Sequence, residues 1–180
     1  MDNQLFKDKY KIKSIRLPDW DYSSNGAYYI TICTKDREHY FGNIKNGQMI
    51  LSKIGEVVEK FWMEIPLHYQ NLTLDEFVIM PDHLHGILII DNDDISIPVE
   101  AIHELPLQQP SQKSRRKMTI PLVIGRFKMQ TTKSFHEIEN TSEKLWQRDY
   151  FEHIIRNKIE LNQKRKYIIN NPSKWKVNLL

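Results

Sequence analysis

Residues 80–90 read MPDHLHGILII, with two histidines one residue apart and an acidic residue just before them. On a strand, residues two apart point to the same side. His83 and His85 therefore share a face, and Leu84 points the other way. Two imidazoles can bind a divalent cation but do not complete its shell. A pair of packed or hydrogen-bonded histidines is the plain alternative. The pair gains meaning only if a further ligand and a reacting group arrive from elsewhere in the chain.

The C-terminal stretch RKYIINNPS offers both. Tyr167 and Asn171 are four apart, a spacing that shares one helix face. The Asn171 amide oxygen can ligate a metal, and Tyr167 can supply a phenolic nucleophile beside it. Asn171 precedes Pro172, so its backbone is disfavoured in the α region and the last turn is open to distortion. A tyrosine that attacks a phosphodiester forms a phosphotyrosine, and a divalent metal steadies the charge that develops on the phosphate. Lys164, three residues earlier, can help the phenolate or contact phosphate; a solvated lysine is the simpler reading. Tyr167 by itself also suits core packing.

LWQRDYFEHIIRN, residues 145–157, interleaves Trp146, Tyr150 and Phe151 with Arg148, His153 and Arg156. Aromatic rings stack on exposed bases while arginines meet phosphates. The same residues can form a core with charged neighbours, and spacing alone does not choose. Arg126, Lys128 and Lys133 can meet phosphates from the exposed side of their own segment, or form a solvated basic face.

These residues need elements to hold them. GAYYITICT, residues 26–34, predicts a strand from its β-branched and aromatic run. DREHYFGNIKNGQMI predicts a strand edge or a hairpin with an Asn-Gly turn. Leu51, Ile54, Val57, Val58, Phe61, Trp62 and Ile65 recur at helical spacing, with Phe61 and Trp62 read as core and Pro66 as the stop. LDEFVIM and HLHGILII predict two strands joined so tightly at Pro81-Asp82 that they must be antiparallel. Residues 91–117 lack a sustained period and predict a long surface or flexible loop, in which His103 is solvated. IPLVIGRFKMQTTKSFHEIE predicts a second helix, weakened by Gly125. Asn157 followed by Glu160 marks the start of a last helix that Pro172 ends. The order implies a two-layer α/β fold around an antiparallel sheet.

The chain has 180 residues, one domain's worth over 1–180, and is 40% hydrophobic and 27% charged. No apolar run is long enough to span a membrane. The opening MDNQLFKDKY lacks a secretion-signal core, so a cytoplasmic protein is expected. Cys33 is the only cysteine, which excludes an internal disulfide and a thiolate cluster. The net charge of +3 conceals an asymmetry: residues 61–110 hold nine acidic and no basic residues, while residues 111–180 hold sixteen basic and six acidic ones. The basic C-terminal part suits a polyanion partner or the protein's own acidic middle.

Four pieces in order, YYITICTKDR, FVIMPDHLHGILI, LWQRDYFEHIIRN and KYIINNP, resemble the REP-associated tyrosine transposases of the single-tyrosine HUH superfamily, over roughly residues 26–175. The resemblance implies a ferredoxin-like α+β core with an antiparallel sheet packed by helices and a C-terminal helix bearing the tyrosine. It implies His83 and His85 as metal ligands, Asn171 as a further one, Tyr167 as nucleophile, and Mg²⁺ or Mn²⁺ as the cation. Arg126, Lys128, Trp146, Arg148, Tyr150, Arg156 and Lys164 are then the candidates for contacting DNA. Such enzymes cut single-stranded DNA near an imperfect hairpin, hold the 5′ phosphate on tyrosine and rejoin strands. Hairpin-forming DNA, including repetitive extragenic palindromes, is the implied partner, for a monomer or a homodimer. A catalytically inactive hairpin-binding protein and a phosphodiesterase that activates water at the histidines are the alternatives to hold against it.

Overall fold

The computed structural model describes residues 20–92 and 117–175. The loop expected over 91–117, apart from its end residues, and His103 within it lie outside the described residues.

The fold is mixed α/β. A four-stranded antiparallel sheet runs in the order β4-β5-β1-β6, with β1 at Gly26–Cys33, β4 at Leu72–Met80, β5 at His83–Ile90 and β6 at Phe151–Ile155. Each of its three pairings is antiparallel, and β5 pairs with β1 from Gly26↔Ile90 to Cys33↔His83. The Pro81-Asp82 turn closes the β4–β5 hairpin as its chemistry predicts. A separate hairpin joins β2 at Gly42–Lys45 to β3 at Gln48–Leu51. Its turn puts Asn46 and Gly47 at φ 51° and 73°, the left-handed pair that a two-residue hairpin loop requires.

Alternation along the strands sorts the side chains into two layers. Tyr28, Ile30, Ile32, Leu84, Leu88 and Ile154 face the larger core, which they form with Val58, Trp62, Val123, Phe127 and Phe135. Those last residues come from α1 at Lys53–Met63 and α3 at Thr119–Glu139. Ser52 caps α1 by accepting from the Gly55 N–H at 3.1 Å. The helix ends at Met63. Pro66, read from the sequence as its stop, lies in the first turn of a short α2 at Ile65–His68. Gly86 belongs to this face because of Trp62: a Cβ there would lie 2.4 Å from the indole ring.

The other face of the sheet carries a smaller apolar cluster of Ala27, Tyr29, Ile87 and Ile155, closed by Leu161 and Ile168 of α4 at Lys158–Ile169. Asn157 caps α4, accepting from the Glu160 N–H at 2.9 Å. The Glu160 carboxylate turns back to accept from the Arg156 N–H at 2.8 Å and binds His153 Nε2 at 2.5 Å. Arg165 ties α4 to β4 through Asp75, which accepts from Nε at 2.8 Å and from Nη2. After Asn170 the chain enters α5 at Asn171–Lys174. Gly47 of the small hairpin lies close to Ser173 of this last turn. No helix among the described residues is long and apolar enough to cross a membrane.

Candidate functional site

The strand alternation that puts Ile87 under α4 puts His83 and His85 on the same face, and the two rings stand 4.5 Å apart. They lie at the end of β5 nearest the Pro81-Asp82 turn, beyond the apolar cluster. Tyr167 comes from the last turn of α4, where its ring centroid is 5.3 Å from that of His85. Asn171 follows across the break at Asn170. His83, His85, Tyr167 and Asn171 line one cleft of about 370 Å³, together with Thr31, Arg37, Lys174 and Trp175. One chain supplies all of them. Tyr167 and Asn171 therefore reach a common cleft from two short helices, not from successive turns of one.

Both imidazoles are oriented from behind. His83 Nδ1 lies 2.5 Å from Asp82 Oδ1, and the other Asp82 oxygen meets Arg37 Nε at 2.7 Å. His85 Nδ1 lies 2.8 Å from the Tyr29 hydroxyl and 2.7 Å from that of Thr31. Among the described residues, neither Nε2 has a hydrogen-bond partner. A metal bound through Nε2 requires the proton on Nδ1, and in that tautomer both Nδ1–H groups find acceptors: a carboxylate for His83, hydroxyl oxygens for His85.

The electrostatics agree with a neutral His85. Burial, aided by the charges of His83, Arg37 and Lys164, pushes His85 down to about 3, so its imidazole is uncharged at neutral pH. Burial alone would raise the Asp82 carboxyl, but the hydrogen bond from His83 and the charges of His83, Arg37 and His39 hold it below its ordinary value. Burial raises Tyr29, which keeps its hydroxyl proton for hydrogen bonding.

This donor set fits a divalent cation. Two ring nitrogens with engaged far sides are preorganised ligands, and Asn171 lines the same cleft. No group of three or more His, Cys, Asp and Glu side chains suited to a metal occurs among the described residues. Asn171, which lines the same cleft, offers an amide oxygen as a third protein ligand. Two nitrogen donors suit Mn²⁺ better than the oxygen-seeking Mg²⁺.

The candidate DNA-contacting residues do not gather at this cleft. Lys164 is near it, its Nζ 4.5 Å from the centre of the Tyr29 ring. Arg156 sits at the β6–α4 junction, its side chain exposed. Arg126, Lys128, Arg148 and Tyr150 line an open groove of about 900 Å³ beside α3, across the sheet from the histidines. Lys128 is engaged there, donating to the carbonyls of Gln147 and Arg148 at 2.6 and 3.1 Å. Trp146 is a core side chain: it is 5% exposed, and its Nε1–H donates to Thr131 Oγ1 at 2.9 Å. A buried indole has no free face for a base.

Sequence reasoning passed over Asp82, read only as turn chemistry, and over Tyr29, Thr31, Arg37, Lys174 and Trp175. Tyr29 and Thr31 carried a signal, since they alternate on the predicted β1 strand as the histidines do on β5. Asp82 carried another, adjacent to the first histidine.

No protein-family model matches the chain. A solved REP-associated tyrosine transposase bound to a REP hairpin shares the fold at a TM-score of 0.53 and 16% identity, over 91% of this chain and 74% of that one. A Haemophilus influenzae protein, known as an uncharacterized protein, is 40% identical over 171 residues, 93% of this chain and 92% of its own. Identity at that level along nearly the whole of both chains means that this chain belongs to the same family as the Haemophilus influenzae protein.

Proposed function

We propose that the protein is a metal-dependent DNA-nicking and strand-joining enzyme of the single-tyrosine HUH type, built on a ferredoxin-like core. The observation that carries this reading is the meeting of His83, His85, Tyr167 and Asn171 in one cleft, although more than eighty residues separate the histidines from the tyrosine. Neither packed histidines nor a packed tyrosine accounts for that convergence. Tyr167 is 49% exposed, which suits a nucleophile better than a core residue. The fold shared with a transposase bound to a REP hairpin supports hairpin-forming single-stranded DNA as the substrate class.

His83 and His85, with the Asn171 amide oxygen, would hold the cation. When bound, that cation supplies Lewis-acid polarisation of the scissile phosphate. Asp82, Tyr29 and Thr31 hold the imidazoles in orientation, and each can accept from an Nδ1–H. The Tyr167 phenol oxygen attacks phosphorus as the bond from phosphorus to the 3′ oxygen breaks. The phenol proton passes to solvent, and the leaving 3′ oxygen takes up a proton to become a 3′ hydroxyl. Strand joining is the reverse attack by a 3′ hydroxyl on the phosphotyrosine. One chain carries every named group, which supports a monomer over a homodimer as the active form.

The test is incubation of the protein with an end-labelled hairpin-containing single strand and Mn²⁺, followed by a denaturing gel. A labelled band that survives denaturation and disappears after protease treatment is expected, with label downstream of the cut retained on protein. Cleavage without any covalent intermediate would favour an activated-water phosphodiesterase. Tight binding without cleavage would leave an inactive hairpin-binding protein.

A further inference from the structure

Arg37 stands in the cleft, yet nothing above gives it a task toward substrate. It follows β1 in a tight turn held at several points. Thr34 N–H donates to the Asp82 carbonyl at 2.9 Å, Lys35 N–H to the Leu145 carbonyl at 2.9 Å, and the Thr34 hydroxyl to the Glu38 carbonyl at 2.8 Å. Within it Asp36 and Arg37 adopt φ of 53° and 63°. The left-handed region is disfavoured for any residue with a Cβ, and two such residues in succession persist only where the surroundings impose them. The effect of this backbone is to bring the Arg37 side chain back over the end of the sheet into the cleft.

There the guanidinium is fixed on one side only. Nε meets the buried Asp82 carboxylate at 2.7 Å, and Nη1 donates to Cys33 Sγ at 2.8 Å. Nη2 has no partner among the described residues. A planar fork pinned at two nitrogens presents its remaining N–H groups in a set direction, which a lysine on a flexible stem cannot do. Half of the side chain stays exposed, beside His83, His85 and Tyr167.

We infer that Arg37 is a catalytic residue that donates through its free N–H groups to a non-bridging oxygen of the phosphate attacked by Tyr167. This rests on the proposed function. The phosphate gains negative character as the phenol oxygen adds, and a donor fixed before the reaction needs no reorganisation to meet it. Asp82 holds both His83 and Arg37, so one buried carboxylate sets the metal-binding ring and the phosphate-binding fork relative to each other.

A purely structural Arg37 would act only by holding Asp82 and, through it, His83. Arg37→Ala and Arg37→Lys separate the two cases; the lysine keeps a cation beside Asp82 should the alanine fail to fold. Three quantities are measured for each: Mn²⁺ affinity without DNA by titration calorimetry, affinity for the hairpin strand, and the rate of covalent adduct formation. The rate is measured on substrates carrying Rp or Sp phosphorothioate at the cut as well. The expected result is a rate loss of about 100-fold or more in either variant, as for removal of an oxyanion donor. Mn²⁺ and hairpin affinities should stay within about threefold, and wild type's discrimination against one phosphorothioate diastereomer should be lost. An undiminished rate, or Mn²⁺ affinity falling in step with the rate, would overturn the role of Arg37 alone. Absence of any adduct from wild type would bring down the proposed function with it.

Discussion

Asp75→Asn should destabilise the protein and misplace Tyr167, because the Arg165–Asp75 pair ties α4 to β4 two residues from the tyrosine. That helix buries only Leu161 and Ile168 against the sheet. Besides the Glu160–His153 bond and the packing of Lys164 and Tyr167 against Tyr29, it is tied to β4 by Arg165, whose Nε and Nη2 donate to the two oxygens of Asp75. The Asp75 side chain is 9% exposed and that of Arg165 30%. Charge-assisted hydrogen bonds contribute about 1.5–3 kcal/mol, and Arg165 can regain part of that from water, so a loss of about 2 kcal/mol is expected. For a chain of this size that lowers Tm by about 4–8 °C. The loss should depend on pH. Burial raises the Asp75 carboxyl, but the hydrogen bond and charge of Arg165 and the Glu76 N–H outweigh it and hold the carboxyl below its ordinary 3.8. A carboxyl lowered by folding adds stability in full above its unfolded value, and that stability is lost as pH falls through the folded value. Urea unfolding of wild type and variant should therefore differ most at neutral pH and converge below pH ~4. Arg165 lies two residues before Tyr167, so the variant should also form adduct several-fold more slowly. Equal stabilities at pH 7, or a difference unchanged down to pH 3, would refute this account of how α4 is held.

Further outcomes follow from the same structure. Gly86→Ala drives a Cβ into the Trp62 ring and should cost about 1–3 kcal/mol in chemical denaturation. Trp146→Ala should cost about 3–5 kcal/mol, and whatever hairpin affinity it loses should return under conditions that restore folding, because its ring is core. His83→Ala and His85→Ala should abolish Mn²⁺ binding in calorimetry and slow cleavage far more than they weaken hairpin binding at fixed salt, since the basic residues that attract phosphate lie elsewhere.

Much of the frame of this cleft was legible in the chain. A β-branched and aromatic run marked β1, short apolar runs marked β4 and β5, the tight Pro81-Asp82 turn forced β4 and β5 antiparallel, and the two-residue spacing set both histidines on one face. The Asn157 and Glu160 pair marked the start of α4. What stayed hidden depended on contacts between distant segments. β6 carries Glu152 buried on one face and Phe151 exposed on the other, so its hydrophobic alternation does not show. Trp146 and Arg148 look alike as nucleic-acid contacts in a linear reading, yet one is core and the other surface. Arg126 and Arg148 sit across the sheet from the histidines because α3 and α4 cover opposite faces, a topological fact that spacing does not encode. The break at Asn170 was foreshadowed by Pro172, but the approach of Gly47 to Ser173 was not. Asp82 was visible as a residue beside His83; its second bond, to Arg37, depends on a backbone turn that only the fold reveals.

The most direct test of the central claim is to identify the tyrosine that carries the DNA. Wild-type protein reacted with a hairpin-containing strand and Mn²⁺ is digested with nuclease and trypsin, and the adduct is mapped by mass spectrometry. Cleavage after Lys166 and Lys174 releases a peptide from Tyr167 to Lys174 in which Tyr167 is the only tyrosine. Expected are a nucleotide 5′ phosphate on that peptide, a free 3′ hydroxyl on the other DNA fragment, and no adduct from Tyr167→Phe, which should still bind the hairpin. An adduct on Tyr150 or any other tyrosine, or undiminished adduct from Tyr167→Phe, would contradict the claim.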